Sequence, residues 1–215
     1  MDAKHKVFNL IILDESGSMS SIKRSIISGF NEVVQTVKGV AKQFPEQEHL
    51  ISFVTFNSLQ VKTHFENEDV TKLELIDENQ YHPNAMTPLY DAIGLSISQL
   101  RKVTDVLSGY HVLVTILTDG EENDSKEYTG QAIKQLIDEL KLQQWTFTYI
   151  GANHDVEKFA LSISISNTMK FDPNERDLKR MFSKESTARK NFSAKLLRND
   201  SLIDDFYAEE SGDKE

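Results

Sequence analysis

The segment Asp14-Glu15-Ser16-Gly17-Ser18 closes an apolar run and places one carboxylate and two hydroxyls, Asp14, Ser16 and Ser18, at every second position. A chain held extended or looped there points Asp14, Ser16 and Ser18 the same way, and three oxygen donors so aligned suit a hard cation. Two further segments offer oxygens of the same kind. Thr87 stands before Pro88 at the entry to a helix-patterned stretch, and Asp119-Gly120 follows another apolar run. The five groups together supply three hydroxyls and two carboxylates. Mg²⁺ accepts such a set without a cage of carboxylates and keeps room for a further ligand.

Each piece also has a plain structural reading. Asp and Ser ahead of an amphipathic stripe are good helix N-caps, Thr-Pro is a good helix entry, and Asp-Gly is a common turn. The argument for a site is their conjunction, three oxygen-bearing loops that each sit where a strand ends or a helix begins.

The elements that must position these loops follow from hydrophobic pattern. Residues 7–13 (VFNLIIL), 50–56 (LISFVTF), 112–118 (VLVTILT) and 145–151 (WTFTYIG) are short runs rich in Val, Ile, Phe and Thr with little alternation. Such runs read as strands covered on both faces. Between them, Ile22, Ile26, Phe30, Val33, Val37, Val40 and Phe44 recur at helical steps, as do Leu89, Ile93, Ile97 and Leu100, and Ile133, Leu136, Ile137 and Leu140. The second run continues through Asn57-Ser58-Leu59 into QVKTHF, which reads as a hairpin carrying an antiparallel edge strand. DVEKFAL reads as a short helix and NTMKF as a last strand. The expected fold is α/β, a doubly wound and mostly parallel central sheet with one antiparallel edge strand and helices on both faces. In such a sheet the binding crevice lies outside the carboxyl ends of the strands, where the three loops fall.

Asp-x-Ser-x-Ser after a first strand, Thr before a helix and Asp-Gly after a later strand resemble the von Willebrand factor A (VWA) domain. Over residues 5–171 the chain is similar to that family, and TPLYDAI and YIGANHD resemble its bacterial intracellular branch. The resemblance implies a metal-ion-dependent adhesion site formed by Asp14, Ser16, Ser18, Thr87 and Asp119. It implies Mg²⁺ or Mn²⁺, ahead of Ca²⁺, completed by a Glu or Asp of a partner protein. In the bacterial branch that partner is expected in an ATPase or stress-resistance complex. The sequence departs from the commoner pattern at Asn84 and Ala85, where relatives often place glycines. No acids follow Ser18 directly, unlike adhesion domains with a second cation site, and GEENDSKE after Asp119 reads as a solvated acidic loop with Glu15, Glu121, Glu122 and Asp124 near the rim.

Composition narrows the function classes. A formal net charge of −10 disfavours nucleic acid and anionic membrane surfaces as partners. Without cysteine the chain has no disulfide, thiolate metal site or cysteine nucleophile. The six histidines show no i, i+4 pair, which argues against zinc. The first apolar run is too short for a membrane span and lacks a signal-peptide cleavage pattern, so a cytoplasmic location is expected. Residues 1–171 read as the VWA domain, 172–198 as a helical extension whose Lys and Arg form a solvated face, and 199–215 as an acidic, disordered tail. The expected function is a metal-dependent protein-interaction module and not an enzyme. A phosphatase-like hydrolase is the first alternative, but it would want a second aspartate where Ser16 stands. A structural subunit with a vestigial site is the second.

Overall fold

The computed structural model describes residues 4–198, 200, 206 and 207. Apart from Asp200, Phe206 and Tyr207, the expected acidic tail lies outside the described residues.

Among the described residues six strands, β1 (His5–Asp14), β2 (Gln47–Asn57), β3 (Gln60–Asp69), β4 (Tyr110–Thr118), β5 (Trp145–Gly151) and β6 (Asn167–Lys170), form one sheet in the order β3-β2-β1-β4-β5-β6. All neighbours are parallel except β2 and β3. The hairpin turns through Ser58-Leu59, where the Asn57 side chain accepts hydrogen bonds from Leu59 N (2.9 Å) and Gln60 N (3.3 Å). Among the described residues five α-helices cover the sheet: α1 (Lys23–Gln43), α2 (Leu89–Thr104), α3 (Gly130–Lys141), α4 (Val156–Ser162) and α5 (Glu175–Arg198). This is the expected doubly wound fold with an antiparallel edge.

Every residue of β1 from Val7 to Asp14 is buried, because successive side chains enter different cores. Phe8, Leu10 and Ile12 pack with Ile93, Ile97, Ile133 and Ile137 of α2 and α3. Ile11 and Leu13 pack with Ile26, Phe30 and Val33 of α1 and with Phe182 of α5. Helix α5 lies close on α1 because residue 29 is glycine: a Cβ there would stand 1.9 Å from the Phe182 ring.

Arg189 of α5 lies against the sheet at 3% exposure, where the basic pattern predicts a solvated face. Its guanidinium donates to Glu185 Oε1 (2.8 Å), Asn9 Oδ1 (2.9 Å) and Thr115 Oγ1 (2.6 Å). Neighbours with those oxygens cannot be read from helix periodicity, since Asn9 and Thr115 come from β1 and β4. No described helix is long and apolar enough to cross a membrane.

Strand order reverses direction between β1 and β4, so the crevice beyond their carboxyl ends is the topological switch point. Asp14 is the last residue of β1, and Thr118 is the last of β4.

Candidate metal centre

The chain leaves β1 at Asp14 and passes through an extended Ser16 (φ −71°, ψ 165°) into a 3₁₀ turn at Gly17–Ile22 that leads into α1. Ser16 is the residue before that turn, yet its hydroxyl does not cap it. The Ser16 Oγ lies 3.2 Å from Ser18 Oγ, and Ser18 Oγ donates to Asp119 Oδ1 at 2.5 Å. Four of the five expected residues thus join in one chain of contacts, since Asp14 Oδ1 accepts from Ser16 N (2.7 Å).

The fifth, Thr87, is buried and belongs to the same crevice: a Cβ added to Gly120, next to Asp119, would stand 3.8 Å from Thr87 Oγ1. Its hydroxyl is not spent on helix α2 either. The exposed N–H groups of that helix are met by others: Tyr90 N donates to Glu122 Oε2 (2.9 Å) and Asp91 N to Ser125 Oγ (3.1 Å). The capping explanation open to Ser16 and Thr87 therefore does not hold for either side chain.

Several residues that position the site were not evident from sequence. Thr118 donates to Asp14 Oδ2 (2.6 Å) and accepts from Gly120 N (3.1 Å), so one hydroxyl orients the first carboxylate and shapes the turn bearing the second. Its place beside Asp119 was the available signal. Tyr81, wholly buried, donates to the Asp14 carbonyl (2.6 Å), and nothing local in the sequence announces that bond. Asn123 clamps Thr87 from both sides: Thr87 N donates to Asn123 Oδ1 (2.9 Å) and Asn123 N to Thr87 O (3.1 Å). Asp91 is different, because its place one turn into the helix after Thr87 marks it in the sequence as a candidate acceptor for orienting a ligand loop: it accepts from the N–H groups of Lys126, Glu127 and Tyr128 at 2.8–2.9 Å, tying the loop after Asp119 to α2.

Glu15 corrects one expectation. It is 3% exposed and not on the rim, and its carboxylate accepts a hydrogen bond from His82 N. Asn84 N donates to the Glu15 carbonyl (2.8 Å) and Gly17 N to the Ala85 carbonyl (3.0 Å), so the loop leading to Thr87 is laced onto the tip of β1. Ala85 sits at φ +63°, a left-handed conformation that glycine adopts more readily.

Electrostatics single out Asp14. Burial pushes its carboxyl pKa up to about 6, against the pull of hydrogen bonds from Thr118 and Ser16 and with a further push from Asp119. Asp119 is raised as well, by desolvation, with the Ser18 hydrogen bond opposing. Among the described residues no group of three or more His, Cys, Asp and Glu converges as a metal site. A cation held here would depend on hydroxyls beside two acids. The donor set fits a small hard ion: Mg²⁺ at about 2.1 Å from each oxygen places neighbouring ligands about 3 Å apart, close to the 3.2 Å between the serine hydroxyls.

The profile of the von Willebrand factor type A domain matches residues 10–195. The chain belongs to this family. No curated protein matches it in sequence. Among solved structures, the PilB minor pilin from Streptococcus sanguinis is similar at TM-score 0.58 and 14% identity, over 88% of this chain and 62% of the pilin. Proximal thread matrix protein 1 from the mussel byssus is similar at TM-score 0.56 and 14% identity, over 88% of this chain and 47% of that one. The SpRpn10 VWA domain gives TM-score 0.55 at 11% identity, over 83% of this chain and 94% of that domain. This VWA domain thus spans less than two thirds of the pilin and byssus chains. At such identities the likeness is one of fold. VWA domains are commonly protein-interaction modules.

Proposed function

We propose that this VWA domain captures a partner protein through a divalent cation, Mg²⁺ or Mn²⁺, held by Asp14, Ser16, Ser18, Thr87 and Asp119. A Glu or Asp of the partner completes the ion's ligands. The observation that carries the reading is the convergence of Ser16, Ser18 and Asp119 oxygens at the switch point, with neither Ser16 nor Thr87 spent on a helix cap. Two formal charges beside neutral hydroxyls leave a doubly charged cation electrophilic, so an incoming carboxylate gains a direct ionic bond in a crevice that is partly dry. Glu121 is exposed and Asp124 half-buried in the following loop, which favours a partner acid framed by basic residues.

A non-enzymatic role is supported by Ser16, which stands where aspartyl phosphatase chemistry would want a second aspartate to act as acid and base. An ATPase or stress-resistance complex in the cytoplasm as the setting rests on the family resemblance.

Calorimetry with Mg²⁺ and Mn²⁺, with and without acetate as a stand-in for the partner's carboxylate, tests the site. Saturable binding lost in Asp14→Ala is expected, with the variant still folding cooperatively. Thr87→Ala is expected to weaken the acetate-dependent part more than binding of the ion alone. Absence of ion binding under both conditions overturns the proposal, as does Asp14-dependent hydrolysis of p-nitrophenyl phosphate above background.

A further inference from the structure

A second surface of opposite sign lies on α5. Arg176, Lys179, Arg180 and Lys184 recur at helical steps and are all exposed. They line a groove of about 680 Å³ that continues past Thr187 to Asn191, with Tyr207 on its wall. Beside it a depression of about 220 Å³ joins Arg180 and Lys184 to Lys170 of β6, the edge strand opposite β3. Among the described residues the carboxylate paired with these cations is Asp177, 3.8 Å from Arg180. Four cations thus line the groove and Lys170 adds a fifth in the adjoining depression, on a chain whose formal net charge is −10. The groove shares no residue with the metal crevice.

We infer that this groove docks an extended acidic segment of a protein partner. From Arg176 to Asn191 the helix advances about 22 Å at 1.5 Å per residue, and an extended chain spans that length with about seven residues at 3.3 Å each. Basic side chains at steps of three and four along α5 meet acids spaced by two on such a strand. A short peptide suits the site better than nucleic acid, because a long polyanion would also meet the repulsion of the acidic remainder of the molecule.

Fluorescence anisotropy of a fluorescein-labelled Glu-Ala octapeptide (EAEAEAEA) titrated with the full chain, at low salt and in EDTA, tests the inference. Saturable binding is expected, about tenfold weaker in Lys179→Glu/Lys184→Glu and weaker as salt rises. It is expected unchanged in Asp14→Ala, which separates it from the metal-site reading. The substituted lysines are exposed, and a thermal melt checks that the variant remains folded. Equal binding by the charge-reversed variant, or of the Gln-Ala octapeptide, overturns the proposal. So does equally tight binding of labelled dT octanucleotide through the same lysines. If the groove prefers acids, the acids of the same chain at Glu209, Glu210 and Asp213 are expected to compete with the peptide: tighter peptide binding by Glu209→Gln/Glu210→Gln/Asp213→Asn supports that preference. Absence of binding by both this variant and the natural chain overturns it.

Discussion

Arg189 and Asp14 are both buried charged residues on the central sheet, but their surroundings differ in kind. The guanidinium under α5 is met by Glu185, Asn9 and Thr115, a carboxylate and two neutral oxygens that suit its charge and fork geometry. At the carboxyl end of β1, Asp14 receives a serine N–H and a threonine hydroxyl but no cationic side chain, and a second carboxylate lies across the crevice. Its raised pKa registers that difference. Arg189, neutralised by Glu185 on its own helix, ties α5 to β1 and β4 through Asn9 and Thr115. A carboxylate left without a countercharge, beside further oxygens, is arranged for a cation from outside.

Breaking the internal pair is expected to give the largest effect on stability. Arg189→Met leaves Glu185 buried without its partner and is expected to cost about 3–5 kcal/mol in urea denaturation. Ion binding in the crevice should be preserved wherever the variant is folded. Replacing both members, as Arg189→Met/Glu185→Leu, is expected to recover much of the loss. A double variant no better than the single would mean that the pair specifies the docking of α5 and does more than neutralise itself.

The opposite sign is expected at Asp14. Its folded pKa of about 6 exceeds the ordinary carboxylate value of 3.8, so the folded chain holds its proton more tightly than the unfolded chain. In chelator the contribution of this group to stability is fully present below the unfolded value and is lost as pH rises through about 6. Over a window of about two pH units the loss reaches about 3 kcal/mol at most. Asp14→Asn is expected to remove that loss, melting higher than the natural chain at pH 7.5 in EDTA, while losing ion binding. Saturating Mg²⁺ is expected to close the gap by stabilising the natural chain alone. A variant less stable than the natural chain in EDTA would show that hydrogen bonding outweighs desolvation at Asp14.

The smallest change sharpens the comparison at the loop before Thr87. Ala85→Gly relieves a left-handed alanine, but glycine adds freedom to the unfolded chain, so a net gain of about 0.5–1 kcal/mol is expected. Thermal melts measure it, and ion affinity should be unchanged.

Much of this architecture is legible in the residues. Contiguous β-branched runs mark β1, β2, β4 and β5 because a strand buried on both faces has no room for alternation. Asp14, Ser16, Ser18, Thr87 and Asp119 stood out because their spacing and their places at element ends are local properties. Glu15 was misplaced on the rim for the same reason: its partner, the N–H of His82, is 67 residues away and leaves no mark on the local pattern. The basic pattern of α5 suggested a wholly solvated face, yet Arg189 turns inward to oxygens of β1 and β4.

The sequence by itself determined the order of strands and helices, the antiparallel edge, and which oxygens each loop could offer, since periodicity and turn chemistry are set by near neighbours. Tertiary structure alone decided that Ser18 meets Asp119 across 101 positions, that Thr118 holds Asp14 and Asn123 holds Thr87, and that the serine and threonine hydroxyls are released from capping. The physical reason is that a side chain with several possible partners is assigned by whichever groups the sheet brings within about 3 Å, and strand order, not distance along the chain, sets that neighbourhood.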